Sequence, residues 1–235
     1  MSALPFLVTG AAGGIGSAIA TRLEAAGHEV LRTDLRAPAH DNRFIAARLP
    51  DDLDALVAAL PARLGGLVHA AGAIHTHRAD IIEADVFARL FAINVQAPVA
   101  LTARLAARLS EGASVVFVGS VAGLRASPGN LIYGASKAAL HNAALTFAKT
   151  LAPRGIRVNT VCPGLIDTEL TERTDRELAA MDGVSVDKVV RRRRDAIPLG
   201  RSGTAGEVAA AVQHLVDGAT FSTGSQLVLD GGAQL

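Results

Sequence analysis

The sequence has no tryptophan, one tyrosine and one cysteine in 235 residues, and only three of its 23 basic Lys and Arg residues are lysines. A lone cysteine, Cys162, excludes an internal disulfide and a thiolate metal cluster. Its place before Pro163, at the end of an apolar run, suits a small core side chain. No metal is expected. The net charge of +1 leaves no global field to hold nucleic acid. The one arginine run, at 191–194, carries no interleaved aromatics. No uninterrupted apolar run approaches the ~20 residues that span a bilayer. The N-terminus shows neither a basic leader nor a long apolar stretch. The expectation is a cytoplasmic protein without membrane or nucleic-acid partners.

Aromatic residues make up 3% of the chain although half of it is hydrophobic, mostly Ala, Val and Leu. Small and branched side chains of this kind suit helices packed closely on a sheet. Short apolar runs at 6–10, 28–34, 43–48, 66–72, 113–120, 155–164 and 225–232 read as seven strands. Helical stretches are expected at 14–27, 51–64, 83–110, 131–152 and 204–217. Buried strands alternating with helices imply parallel βαβ units. The fold class is therefore α/β: one doubly wound domain over 1–235, with a seven-stranded parallel sheet and helices on both faces.

"VTGAAGGIGSAIA" (8–20) joins the first strand to the first helix. A Gly-rich turn there lets backbone N–H groups approach a pyrophosphate, and the helix N-terminus adds partial positive charge. The spacing Gly10, Gly14, Gly16 is one residue wider than GxGxxG. Asp34 ends the second strand, where a carboxylate accepts both hydroxyls of an adenosine ribose and repels a 2′-phosphate. Arg32 and Arg36 flank it and argue the other way. Strand alternation puts Arg32 and Asp34 on one face, open to pairing with each other. NAD is favoured over NADP.

The single tyrosine, Tyr133, stands four residues before Lys137 in "LIYGASKAAL" (131–140). On a helix these positions share a face. A neighbouring ammonium stabilises phenolate and lowers the tyrosine from its ordinary value of ~10. Such a phenol takes a proton from an alcohol or returns one to a ketone.

These motifs resemble the short-chain dehydrogenase/reductase family from Leu7 to Gly232. "TGAAGGIG" is similar to its TGxxxGxG turn, and "YGASK" to YxxxK. Ser120, thirteen residues before Tyr133, stands where the family keeps a substrate-orienting serine. Asn94 in "FAINVQAP" is similar to the asparagine that holds a water near the lysine. "NTVCPGLIDT" (159–168) resembles the segment around the nicotinamide, and "VLDGG" (228–232) the usual ending.

The resemblance implies a Rossmann fold and an NAD(P)-dependent oxidoreductase acting on secondary alcohols or ketones. Asn94, Ser120, Tyr133 and Lys137 would be catalytic. Gly10, Gly14, Ile15, Gly16, Asp34, Ala71, Gly72, Tyr133, Lys137, Pro163, Gly164, Ile166 and Thr168 would bind cofactor. It also implies a homo-oligomer, dimer or tetramer, paired through 95–110 and 131–152; light scattering reads this directly, and a monomer would count against it. Two positions depart from the pattern. His69 replaces the first asparagine of NNAG and reads as a core residue. Arg48-Leu49 replaces the Asp-Val pair that holds adenine.

Residues 165–203 form the expected substrate lid, which contains the arginine run. Consecutive helical positions point apart, so one or two of these arginines at most can face the cleft. Together with Arg125 they suit a carboxylate- or phosphate-bearing substrate. The lid and the short stretch after the second strand resemble dihydrodiol dehydrogenases and equally NADP-dependent 3-oxoacyl carrier reductases; the sequence leaves both open. NAD favours alcohol oxidation. A cofactor-binding regulator without turnover is the remaining alternative, and the complete catalytic set argues against it.

Overall fold

The computed structural model describes residues 4–35, 41 and 43–235. In chain order, β1 (Phe6–Thr9), α1 (Gly14–Ala25), β2 (Val30–Asp34) and β3 (Phe44–Ala46) form the first half-turn of the fold. Next come α2 (Leu53–Ala59), β4 (Leu64–His69), α3 (Ala84–Phe91), α4 (Ala97–Leu105), β5 (Leu109–Val118) and α5 (Leu131–Leu151). The chain closes with β6 (Arg157–Pro163), β7 (Ile166–Asp167), α6 (Glu169–Asp182), α7 (Val186–Asp195), β8 (Gly203–Thr204), α8 (Ala205–Gln213) and β9 (Gln226–Leu229).

Seven strands pair in the order β3-β2-β1-β4-β5-β6-β9, every neighbour parallel. Side-chain alternation along each strand feeds two cores. Leu7, Leu67, Val115 and Phe117 pack with α2, α4 and α5; Val8, Val68, Val116 and Val118 pack with α1 and α8. The expected doubly wound sheet is therefore the observed one. Strand order reverses between β1 and β4, and in such sheets the crevice beyond the strand ends at that switch is where ligands bind.

Three sequence expectations change. The helix placed over 51–64 stops at Ala59, because Leu60 takes extended backbone (φ −87°, ψ 149°) ahead of Pro61. The stretch placed over 83–110 is one continuous helix to residue 108, with a wider turn at 92–96. This 25-residue helix, whose most apolar 18-residue window has a mean hydropathy of 1.4, is long and apolar enough to cross a bilayer, although no uninterrupted apolar run is. Here Leu101 and Leu105 are fully buried in the protein's own core, and the helix centre carries buried Asn94. Third, the lid contains two helices bracketed by a small parallel pair, β7 with β8. Arg36, weighed above as a cofactor contact, lies outside the described residues.

His69 ends β4 inside the core, as expected. It stacks on Phe117 with ring centroids 4.7 Å apart. Its Nε2 lies 2.8 Å from Thr102 Oγ1, whose own proton goes to the Pro98 carbonyl. Nε2–H is therefore the donor, and Nδ1 is left as a buried acceptor without a partner. Burial alone lowers His69 from 6.5 to about 3. The unfolded chain takes this proton below 6.5 and the folded chain only near 3. The neutral ring's contribution is thus complete above pH 6.5 and lost as pH falls towards 3, with a ceiling of about 5 kcal/mol. His69→Gln is expected to flatten the fall in urea midpoint between pH 6.5 and pH 4 relative to wild type. Equal slopes in the two proteins would refute this.

Candidate active site

Two cavities meet beyond the strand ends. The larger, about 620 Å³, is floored by the turn between β1 and α1 and reaches Asp34 at the end of β2. Close backbone contact shapes the turn. Gly10 has φ +68°, and a Cβ there would lie 2.5 Å from the Ala71 nitrogen; one on Gly16 would lie 2.1 Å from the Gly10 carbonyl oxygen. Gly13 and Gly14 stay exposed. Asp34 is held at the far end, its Oδ2 accepting from the Ala12 N–H at 3.0 Å and its Oδ1 from the Leu35 N–H at 2.7 Å. Exposed backbone at one end and a carboxylate at the other fit a dinucleotide. Gly10, Gly14, Ile15, Gly16, Asp34, Ala71, Gly72 and Thr168 line this cavity.

Arg32 does not pair with Asp34. Its guanidinium binds Glu24 on α1 at 2.8 Å and lies over the Phe44 ring. The docking of α1 against β2 and β3 offers Arg32 a half-buried carboxylate and an aromatic face together, and Asp34 is left to the cavity. Arg48 and Leu49 line the same cavity where the adenine clasp was expected.

The second cavity, about 450 Å³, is lined by Ser120, Tyr133, Lys137, Pro163, Gly164 and Ile166. It shares Ile15, Gly72 and Thr168 with the first. Tyr133 and Lys137 stand one turn apart on α5, which packs tightly on residues 120–123; a Cβ on Gly134 would meet the Ala122 carbonyl oxygen at 2.8 Å. Ser120 follows β5, and its Oγ accepts from the Ala122 N–H at 3.1 Å. Lys137 is 4% exposed, and its Nζ donates to the Val118 carbonyl at 2.9 Å. Burial lowers the ammonium to about 8.

Burial also raises the Tyr133 phenol above its ordinary value, while its hydrogen bond with Ser120 pulls the other way. The expectation that Lys137 lowers the phenol is thus corrected. Nζ sits 5.7 Å from the Tyr133 ring centroid and is directed at Val118. Desolvation is the larger effect on the phenol.

Asn94 lines neither cavity. It is fully buried in the wide turn, where Oδ1 accepts from the Ala73 N–H at 2.8 Å. Its Nδ2 donates to the Ala73 carbonyl and to Ser136 Oγ. The side chain thereby brackets the strand-end segment next to Gly72 and ties it to α5.

The lid completes the walls. Thr168 caps α6, its Oγ1 accepting from the Thr171 N–H, and its methyl group lies 3.2 Å from where a Cβ on Gly14 would be. Of the arginine run, Arg192 and Arg193 line the second cavity, which agrees with the limit set by helical geometry. Both are paired across the lid, Arg192 to Asp182 at 2.8 Å and Arg193 to buried Asp175. Arg125, which also lines this cavity, donates to the Ala233 carbonyl at 3.1 Å and has no carboxylate partner among the described residues.

Sequence reasoning missed Arg173 and Arg176 on the dinucleotide side and Asn130 and Thr171 on the other. It also missed His141, whose one signal was its spacing of four residues beyond Lys137.

A doubly wound parallel sheet with a glycine-floored dinucleotide cavity, and a tyrosine and lysine one helical turn apart beside it, defines a nucleotide-dependent oxidoreductase architecture. The chain belongs to the short-chain dehydrogenase/reductase family. A family model described as enoyl-(acyl carrier protein) reductase matches residues 10–234. An uncharacterized short-chain type dehydrogenase/reductase of Sinorhizobium fredii is 36% identical over 242 residues, covering 96% of this chain and 43% of that protein. The chain thus spans less than half the length of that relative. The 2-(R)-hydroxypropyl-CoM dehydrogenase of Xanthobacter autotrophicus is 35% identical over 251 residues and covers 96% of each chain. Among solved structures, a short-chain dehydrogenase family protein of Francisella tularensis superposes with a TM-score of 0.92 at 30% identity, covering 99% of both chains.

Proposed function

We propose that this protein oxidises a secondary hydroxyl on a small, acidic substrate with NAD as hydride acceptor. The carrying observation is that Tyr133, Ser120 and Lys137 converge on the wall where the dinucleotide cavity opens into the second one. Bound there, the nicotinamide supplies the hydride acceptor, or the donor in the reverse direction. Tyr133 takes the hydroxyl proton as the carbinol C–H bond breaks, and returns it to the carbonyl oxygen in reduction. Ser120 hydrogen-bonds the reacting oxygen and holds it against the phenol. Lys137, whose ammonium burial lowers to about 8, passes the proton on towards solvent. Close and aligned placement of the two reacting carbons supplies much of the acceleration.

Asp34 supports NAD, and Arg32, engaged by Glu24, is not offered to a 2′-phosphate. A cytoplasmic pool kept mostly oxidised favours the oxidation direction. The Xanthobacter relative is by name a dehydrogenase of a hydroxypropyl compound. Arg125, without a carboxylate partner, supports an anionic group on the substrate. A second reading, NADP-dependent reduction of a carrier-linked 3-oxoacyl group, draws on the acyl carrier description of the matching family.

The test incubates the protein with NAD and a panel of secondary alcohols, with and without a carboxylate, and follows NADH absorbance. Turnover is expected with the acidic members. Arg125→Ala should raise KM for those about tenfold, as expected for loss of a charge-assisted contact of about 1.4 kcal/mol, and leave neutral alcohols unchanged. Turnover of 3-oxoacyl carriers with NADPH alone would replace this reading with the second.

A further inference from the structure

We propose that His141 is a positioning residue for Ser120: its imidazole holds the serine's backbone from beneath and so sets where the hydroxyl meets Tyr133. The consequence for turnover rests on the oxidoreductase reading above; the positioning itself does not.

On α5, residues 133, 137 and 141 follow at intervals of four, so they form one stripe facing the end of β5. Tyr133 and Lys137 line the cavity, and His141 lies one turn deeper, 4% exposed. Two glycines make room for its ring. A Cβ on Gly119 would stand 2.3 Å from His141 Nε2, and one on Gly123 would stand 3.0 Å from Cε1. The ring therefore lies flush against the loop that bears Ser120.

Within that contact the Ser120 backbone N–H donates to His141 Nε2 at 3.4 Å. With Nε2 as the acceptor, the ring proton falls on Nδ1, a buried nitrogen with no hydrogen-bond partner among the described residues. Burial, and then the Lys137 charge, keep the ring neutral by lowering it to about 4, which leaves the Nε2 lone pair available. Cys162 Sγ, 3.6 Å away, closes the other side of the same nitrogen. Ser120 is thus gripped twice, through its N–H by the imidazole and through its Oγ by the Ala122 N–H. An aliphatic side chain would fill the space that the glycines leave, but it would give the buried Ser120 N–H no acceptor. The histidine adds that acceptor, at the serine that lines the second cavity together with Tyr133.

The experiment compares wild type, His141→Leu, which keeps bulk without a lone pair, and His141→Gln, which restores an acceptor. Hydrogen exchange at the Ser120 amide, read by ¹⁵N NMR, should quicken about tenfold in H141L and stay near wild type in H141Q. In wild type the His141 ¹⁵N shifts should report a proton on Nδ1 and none on Nε2. For turnover, kcat should fall about tenfold in H141L with KM for NAD within about twofold, and recover in H141Q. In a Ser120→Ala background the leucine should cost nothing further, because the two residues act as a unit. An unchanged Ser120 amide in H141L, a proton on Nε2, or a kcat loss additive with Ser120→Ala would each overturn the proposal. Absence of turnover in wild type would retire the oxidoreductase reading, while the amide and ¹⁵N measurements would still decide the positioning.

Discussion

Tyr133→Phe is expected to lower kcat about 1,000-fold, within the range that general acid–base groups contribute. The change removes one oxygen and keeps the ring. The fit of the ring beside Lys137 and on the Gly134 side of α5 is retained, so NADH binding should stay within about twofold of wild type. Fluorescence titration reads that half of the result and steady-state kinetics the other. Burial raises the Tyr133 phenol, which gives the wild-type profile its sign. The base form grows as pH rises, so alcohol oxidation should quicken through the alkaline range, whereas ketone reduction, which needs the protonated phenol, should not. Undiminished turnover in the phenylalanine variant would remove Tyr133 from the chemistry, whatever its place in the cavity.

The second large effect is expected at Asp34. Its carboxylate is fixed by two backbone N–H groups and faces the dinucleotide cavity. An anion held there accepts from ribose hydroxyls and repels a phosphate in their place, and like charges brought together cost several kcal/mol. Asp34→Ser should weaken NADH and strengthen NADPH, moving the ratio of their dissociation constants about 100-fold, which corresponds to about 2.7 kcal/mol. Titrating both cofactors against both proteins measures it. Tighter NADPH binding by wild type, or an unmoved ratio in the variant, would show that Asp34 does not select the cofactor.

Much of this arrangement was legible before any coordinates because it follows from local rules. Gly10, Gly14 and Gly16 mark the turn by spacing alone, and the interval between Tyr133 and Lys137 sets a shared helix face. Strands buried on both sides announce themselves as unbroken apolar runs, as residues 115–118 of β5 do. The errors arose where distant parts of the chain meet. Strand alternation correctly put Arg32 beside Asp34, but Glu24 competes for it from a helix whose docking no local pattern reveals. The phenol's direction went wrong because the neighbouring ammonium was visible in the spacing and the depth of burial was not. His141 stood in an alanine-rich run with no motif of its own; its meaning depends on Gly119 and Gly123, which lie on another element. In the lid, Thr168 and Ser185 both cap helices, a signal present in the sequence and not used.

The pairing of β7 with β8 places Ile166 beside Gly203 and Asp167 beside Thr204. The excursion between them begins and ends at this seam, next to the mouth of the second cavity, and touches the body again where the Leu199 N–H donates to the Gly231 carbonyl. Lengthening or shortening that flap leaves the spacing of the seven-stranded sheet untouched, because the ends it must connect are already stitched to each other. The mouth can therefore be recut for a new molecule while the machinery behind it keeps its alignment.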